Sequence, residues 1–362
     1  MKLILRWFPG GDDSVTLQQI KQIPGISGVA TCLTNVPVGE VWPLEQLIAL
    51  KEEITAAGLE VEVIESVNIH EDIKKGLPTR DQYIENYIKT IAHLSIIGIK
   101  CLCYNFMPVF DWFRSDPALQ LSDGSLVMSY RHEEVLQMNP LKMATAMLSK
   151  SEGYSLPGWE EERLAAMAQD IEYYQSITID QYWANMKYFL DAVLPYAGKY
   201  HIKMAIHPDD PPWPLFGLPK VITNAQNIRT FLSLNNNPYN GLTFCTGSLG
   251  ANLENDLPAM AKEFAAQGRV PFAHLRNIKH LAPQDFDESA HPTVYGDLDL
   301  LAIMEALHDS GFNGYIRPDH GRMIWGEKAR PGYGLYDRAL GATYLYGLWE
   351  AITKLKKAEK GV

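Results

Sequence analysis

Four residues of metal-ligating type close four late apolar segments of the chain: His207 after Met-Ala-Ile, Cys245 after Leu-Thr-Phe, His274 after Pro-Phe-Ala, and Asp319 after Tyr-Ile-Arg-Pro. A lone strand-end His or buried Cys is more often structural. Two imidazoles, a thiolate and a carboxylate at successive strand ends are hard to obtain from packing needs alone, and together they suit one divalent cation. Imidazole and thiolate favour Zn, Fe, Co or Ni, and Cys245 argues against magnesium. A catalytic ion also needs an open coordination position, which four protein ligands leave only at five- or six-coordination. That favours Mn²⁺ or Fe²⁺ over a closed tetrahedral zinc.

Further polar residues flank these four beyond what a metal alone requires: Asp209 and Asp210 after His207, Arg276 and Asn277 after His274, His320 and Arg322 after Asp319. An acidic chain that binds a small anion must offset its own field locally, and the planar fork of Arg matches a carboxylate. Arg276, Arg322 and Arg6 are the candidates. His320 reads as a general acid or base, against the blander role of orienting Asp319. Tyr333 lies in Pro-Gly-Tyr-Gly-Leu-Tyr, between two glycines in a segment able to move over a site, with Tyr336 its nearest competitor for a proton-transfer role. Cys101 and Cys103 read as two buried small hydrophobes of one strand.

Residues so far apart in sequence meet only if the elements beneath them converge. Eight short runs rich in β-branched and aromatic residues read as strands, at 2–8, 28–33, 60–65, 100–105, 203–206, 242–245, 271–275 and 315–317. Between them, apolar residues at three- and four-residue spacing predict helices at 44–57, 80–97, 179–196, 225–234, 256–267, 298–309 and 336–355. Alternating strand and helix implies parallel strands with right-handed crossovers, and eight such units close most naturally into a (β/α)₈ TIM barrel, a single α/β domain over residues 1–362. No glycine-rich dinucleotide fingerprint follows any strand, which weakens an open doubly wound sheet. The connection after the fourth strand is too long for one βα unit. Its excess, residues 106–178, holds aromatics such as Trp112, Phe113 and Trp159 and reads as a helical or irregular insertion capping the C-terminal face, where barrel enzymes build their sites.

Composition removes other classes. The 362 residues carry 43 acidic against 32 basic side chains, a net charge of −11 that repels a nucleic-acid backbone. No apolar run approaches a membrane span of roughly 18 residues, and the short run at residues 1–8 is interrupted by Arg6. Four cysteines in so long a chain are too few for a disulfide scaffold and read as free thiols in a reducing, cytoplasmic compartment.

Over essentially its whole length the sequence resembles the metal-dependent mannonate dehydratases of hexuronate degradation, whose barrel is related to xylose isomerases. The segments that carry the likeness are Arg6-Trp7-Phe8, Ile23-Pro24-Gly25, Pro37-Val38-Gly39-Glu40-Val41-Trp42, Tyr104-Asn105-Phe106-Met107-Pro108, His207-Pro208-Asp209-Asp210-Pro211-Pro212, Phe244-Cys245-Thr246-Gly247-Ser248, His274-Leu275-Arg276-Asn277 and Arg317-Pro318-Asp319-His320-Gly321-Arg322. The resemblance implies Mn²⁺ or Fe²⁺ on His207, Cys245, His274 and Asp319. It points to His320 and a tyrosine, taken as Tyr333, for proton transfer, and adds Asn105 to Arg6, Arg276, Asn277 and Arg322 as substrate contacts. It implies dehydration of D-mannonate to 2-keto-3-deoxy-D-gluconate by a homodimer or higher homo-oligomer, and leaves open whether other sugar acids are substrates. Among competing readings, a metal-dependent sugar isomerase or epimerase on the same barrel usually holds its metal with carboxylates, so Cys245 opposes it. An apurinic endonuclease would need a basic groove, and a non-catalytic metal protein a full coordination sphere.

Overall fold

In the computed structural model, residues 1–139, 149–154 and 161–359 are described. Twelve strands are present among them: β1 (Lys2–Arg6), β2 (Ile26–Thr31), β3 (Glu60–Glu65), β4 (Cys101–Tyr104), β5 (Asp116–Gln120), β6 (Leu126–Tyr130), β7 (Lys203–Ile206), β8 (Asn240–Cys245), β9 (Phe272–His274), β10 (Asn277–Ala282), β11 (Asp285–Ser289) and β12 (Tyr315–Arg317). Eight of them close a parallel barrel in the order β1-β12-β9-β8-β7-β4-β3-β2. These are the eight strands expected from the sequence, shifted by a residue or two at their ends.

Helices cover the outside of this barrel because each intervening segment carries both an apolar stripe and a start signal. Asn224, Asp256 and Asp299 each accept a backbone N–H three residues on, capping the helices Ala225–Leu234, Leu257–Ala266 and Leu300–Asp309. Thr178 and Gln181 form a reciprocal capping box at the start of Ile179–Lys199. Leu44–Ala56, Arg80–Ile96 and Tyr336–Glu359 complete the seven expected helices.

The insertion departs from expectation. Residues 116–130 form the hairpin β5–β6, where a helical or irregular segment was anticipated, and a second hairpin, β10–β11, follows the seventh barrel strand where none was read. The four strands make one antiparallel sheet, ordered β10-β11-β6-β5. The physical reason for the first hairpin is local: Gly124 takes φ +84°, and the Asp123 carboxylate accepts the Ser125 N–H at 2.9 Å, which turns the chain tightly. The two hairpins join where Phe286 pairs with Tyr130 and Asp287 with Ser129, the Tyr130 and Phe286 rings stacked 5.5 Å apart. A helix, Glu161–Ser176, also lies in the insertion. Trp159 lies outside the described residues.

Candidate active site

Inside a barrel every second residue of a strand points to the axis. One inward layer is apolar and packs together: Ile4, Ala30, Val63, Cys101, Ala205 and Phe272, with Tyr315 against it. Two residues further along the same strands stand Arg6, Cys32, Glu65, Cys103, His207, His274 and Arg317. The alternation therefore lifts a polar layer onto the C-terminal end of an apolar one. Contacts across the barrel confirm the geometry: Arg317 on β12 reaches Glu65 on β3, a non-neighbouring strand, at 2.8 Å.

Ligand-type atoms of His207, Cys245 and His274 lie within 4.8 Å of one another. Asp319 joins them, with Oδ2 3.5 Å from Cys245 Sγ and Oδ1 3.7 Å from His274 Nδ1. Asp319 follows the fixed ring of Pro318 and sits at φ +60°, a left-handed conformation that costs a non-glycine residue about 1–2 kcal/mol. In this turn its carboxylate meets Arg317 Nη2 at 2.7 Å and Arg276 Nε at 3.1 Å. His207 places Nδ1 2.8 Å from the Pro208 carbonyl, which fixes the ring and leaves Nε2 as its free donor atom.

Electrostatics suit a cation. Burial lowers the pKa of His207, and burial followed by Arg317 brings His274 down to about 4, so both imidazoles are neutral. Burial would raise Asp319, but Arg317, His320 and Arg276 outweigh it and hold the carboxyl well below its usual range. Burial and the Asp319 charge push the Cys245 thiol up to about 12, so an arriving ion must displace its proton. Two soft-to-borderline nitrogens, a sulfur and a carboxylate at these separations fit one divalent ion.

Beside this group, His320 Nε2 lies 3.2 Å from Tyr333 Oη, with the rings 5.0 Å apart. His320 Nδ1 is enclosed by Arg276 Nη1 at 2.6 Å and Glu288 Oε1 at 3.0 Å, so any proton exchange with a substrate runs through Nε2. Burial raises the Tyr333 phenol, which is therefore protonated at neutral pH. Tyr336 is 42% exposed and packs on Trp325 instead. A cleft of about 540 Å³ opens over the site, lined by Glu65, Asn105, Asp111, Trp112, His207, Asp210, Arg317, Asp319, His320 and Tyr333 among others.

A network of buried ions holds the surroundings. Arg114, from the insertion, bonds Asp210 at 2.7 and 3.1 Å and Glu288 at 2.9 Å. Arg276 bonds Asp210 at 2.8 Å and also reaches Glu288. Its guanidinium lies over Gly247, where a Cβ would approach Nε to 1.9 Å, so the glycine in Thr-Gly-Ser is needed for the arginine to pass.

Of the residues expected to touch substrate, Asn105 lines the cleft. Arg276 is committed to internal carboxylates. Asn277 accepts the backbone N–H groups of Ile278 and Leu298, and Arg322 pairs with Asp337 at 3.0 Å, so neither is brought to the cleft. Arg6 is buried with Nη2 3.0 Å from Cys32 Sγ. Sequence reading missed Glu65, Arg317, Arg114, Glu288 and Asp111, and had Trp112 only as an aromatic of the capping insertion. The rule that found the ligands, a metal-ligating residue type closing a late strand, extends to Glu65 at the end of β3, while Arg317 ends β12 itself, two residues before Asp319.

The family model described as D-mannonate dehydratase (UxuA) matches residues 1–359. A mannonate dehydratase of Thermotoga petrophila is 55% identical over 357 residues, 99% of each chain. One of Geobacillus thermodenitrificans is 50% identical over 361 residues, covering 100% of this chain and 97% of its own. The crystal structure of mannonate dehydratase from Streptococcus suis serotype 2 superposes with a TM-score of 0.88 at 43% identity, over 98% of this chain and 94% of that one.

Proposed function

Because the chain belongs to the mannonate dehydratase family, we propose that the cleft at its strand ends is where it acts as a hydro-lyase, converting D-mannonate to 2-keto-3-deoxy-D-gluconate and water in hexuronate catabolism. The observation that carries this reading is the meeting of His207, Cys245, His274 and Asp319 beneath a cleft that His207 and Asp319 line together with His320 and Tyr333. A sugar isomerase or epimerase is not favoured, since the dehydratase family accounts for the chain from residue 1 to 359.

The four donors would hold Mn²⁺ or Fe²⁺, which supplies electrophilic stabilisation for negative charge developing at the substrate carboxylate end, an effect of several kcal/mol. Arg317 lines the cleft, and its Nε and Nη1 have no hydrogen-bond partner among the described residues, so it anchors the substrate carboxylate; Asn105 offers an amide to a hydroxyl. Asp111 and Trp112 bring the insertion over the substrate and exclude water. Loss of the C2 proton to a base leaves its electron pair to form the C2–C3 double bond. The C3–O bond breaks as an acid protonates the departing hydroxyl, and the enol tautomerises to the keto acid. His320, through Nε2, and Tyr333 divide these two transfers, each worth roughly 10²–10⁴ in rate. Net acidity and the absence of any membrane-spanning helix among the described residues fit a cytoplasmic enzyme, and a homo-oligomer is the expected form.

The test is keto-acid formation from D-mannonate by chelator-stripped protein with and without Mn²⁺. Product only with the ion is expected; no product from folded, loaded protein would overturn the reading. Isotope exchange at C2 then assigns the pair, because of His320→Asn and Tyr333→Phe the variant that still exchanges has lost the acid.

A further inference from the structure

We propose that Glu65 is the positioning residue of the ligand set, its single carboxylate orienting His274 directly and Asp319 through Arg317. The inference rests on the metal reading above. Glu65 ends β3 and projects across the barrel toward β9 and β12. Its Oε1 accepts from Arg317 Nη2 at 2.8 Å, and the same nitrogen lies 2.7 Å from Asp319 Oδ1. One guanidinium thus links the two carboxylates.

The other half of the carboxylate carries the argument further. Oε2 of Glu65 faces His274 Nε2 at 3.6 Å, and both are buried atoms without a hydrogen-bond partner among the described residues. Two such atoms, each unfavourable when left unsatisfied, face one another. An N–H···O bond needs them closer by roughly 0.7 Å, a small rotation of the ring. The opposite edge of that ring, Nδ1, lies 3.7 Å from Asp319 Oδ1, whose other oxygen is 3.5 Å from Cys245 Sγ, and 3.3 Å from Arg317 Nη2, which an ion seated there would have to displace. Seating an ion among those donors would draw Nδ1 into the set and fix the proton on Nε2, where Glu65 accepts it. Histidines that bind metals generally hand their second N–H to a carboxylate in this way.

Glu65, Cys103 and His274 also bring ligand-type atoms within 4.8 Å of one another, so Glu65 as a direct ligand of a second ion is the rival arrangement. One contact opposes it: Cys103 Sγ already accepts the Thr243 hydroxyl at 3.2 Å.

Mn²⁺ affinity and stoichiometry, measured by chelator competition on wild type and Glu65→Gln together with melting of the ion-free proteins, decide between them. One ion per wild-type chain is expected, with affinity about 10- to 100-fold weaker in Glu65→Gln and little change in the ion-free melting temperature. Glu65→Asp, which keeps the charge but withdraws it from His274, is expected to weaken binding as well, and it carries the comparison should the Gln variant fail to fold. Affinity within twofold of wild type in the folded variants would make Glu65 a structural partner of Arg317 only. Two ions per chain, one of them lost in Cys103→Ala, would make it a ligand instead. A wild-type chain that binds no Mn²⁺ would overturn the metal reading itself, and this inference with it.

Discussion

Two inward layers of one barrel, a single pleat apart, are built on opposite terms. In the lower layer Ile4, Ala30, Val63, Cys101, Ala205 and Phe272 fill the axis by contact alone. In the upper, His274 and Arg317, with Asp319 just past the strand end, are as deeply placed yet ionic or polar, Glu65 is slightly more exposed, and they persist by pairing with one another and with Arg276. Two residues along a strand span about 7 Å, so the change from dry packing to a charged cluster happens within one step of the pleat. Taking charges out of water costs several kcal/mol per ion before pairing returns any of it. The upper layer is thus a weak source of stability and the lower one a poor source of chemistry; the fold keeps them adjacent but separable.

The strongest test of that separation removes a ligand. Cys245→Ser and His207→Ala should each lose tight Mn²⁺ binding and at least about 10³ in kcat/KM, since the ion is worth several kcal/mol to the reaction. Both chains should keep a cooperative melt and the wild-type circular dichroism, because β7 and β8 pair through their backbones with neighbours that do not need these side chains. A ligand variant that unfolds would show that the ion holds the barrel closed, and the two layers would no longer be separable.

Legibility from sequence follows the same division. The eight barrel strands and the ligand set were readable because both obey local rules, β-branched runs with a chemically odd residue at or just past the strand end. Glu65 obeys the same rule but ends an early strand, apart from the consecutive late strands that carry the ligands, and Arg317 is not a ligand type and stands two residues before Asp319, which is. Arg114 and Glu288 were not readable at all. They are 174 residues apart and meet only because β6 and β11 pair in the antiparallel sheet, whose hairpins leave no helical or barrel signature. Arg276 and Arg322 were expected at the substrate because each is an arginine that closely follows a strand-end ligand. Which carboxylate captures a guanidinium depends on tertiary neighbours, here Asp210 and Glu288 for the one and Asp337 for the other.

Acid sharpens the contrast at intermediate cost. Burial alone would raise Glu288, but Arg276, His320 and Arg114 bring it down to about 2, and Arg114 and Arg276 hold Asp210 lower still against its burial. These carboxyls bind protons less readily folded than unfolded. Their stabilisation is therefore complete above the ordinary carboxylate range and lost as pH falls from about 4.5 toward 2, on the order of 3 kcal/mol for Glu288. Urea melts across that window should show the loss. Glu288→Gln should be less stable at pH 7 and have a shallower acid slope, whereas an unchanged slope would place the acid-sensitive groups outside this network.

The smallest change belongs to the lower layer. Ile4 is 3% exposed among Ala30, Val63, Cys101 and Phe272, and Ile4→Val deletes one methylene there, a loss of about 1 kcal/mol in urea unfolding. Arg6 follows two residues later on the same strand and the same face, beside Cys32. If the strand transmitted packing defects upward, Arg6 and the charged layer would shift with the cavity, and Mn²⁺ affinity would fall several-fold. Independent layers require the affinity to stay within twofold of wild type while stability drops. The variant thus measures how far a void one pleat below the site is felt by the groups that hold the ion, where small displacements matter most because ligand geometry is fixed to a few tenths of an ångström.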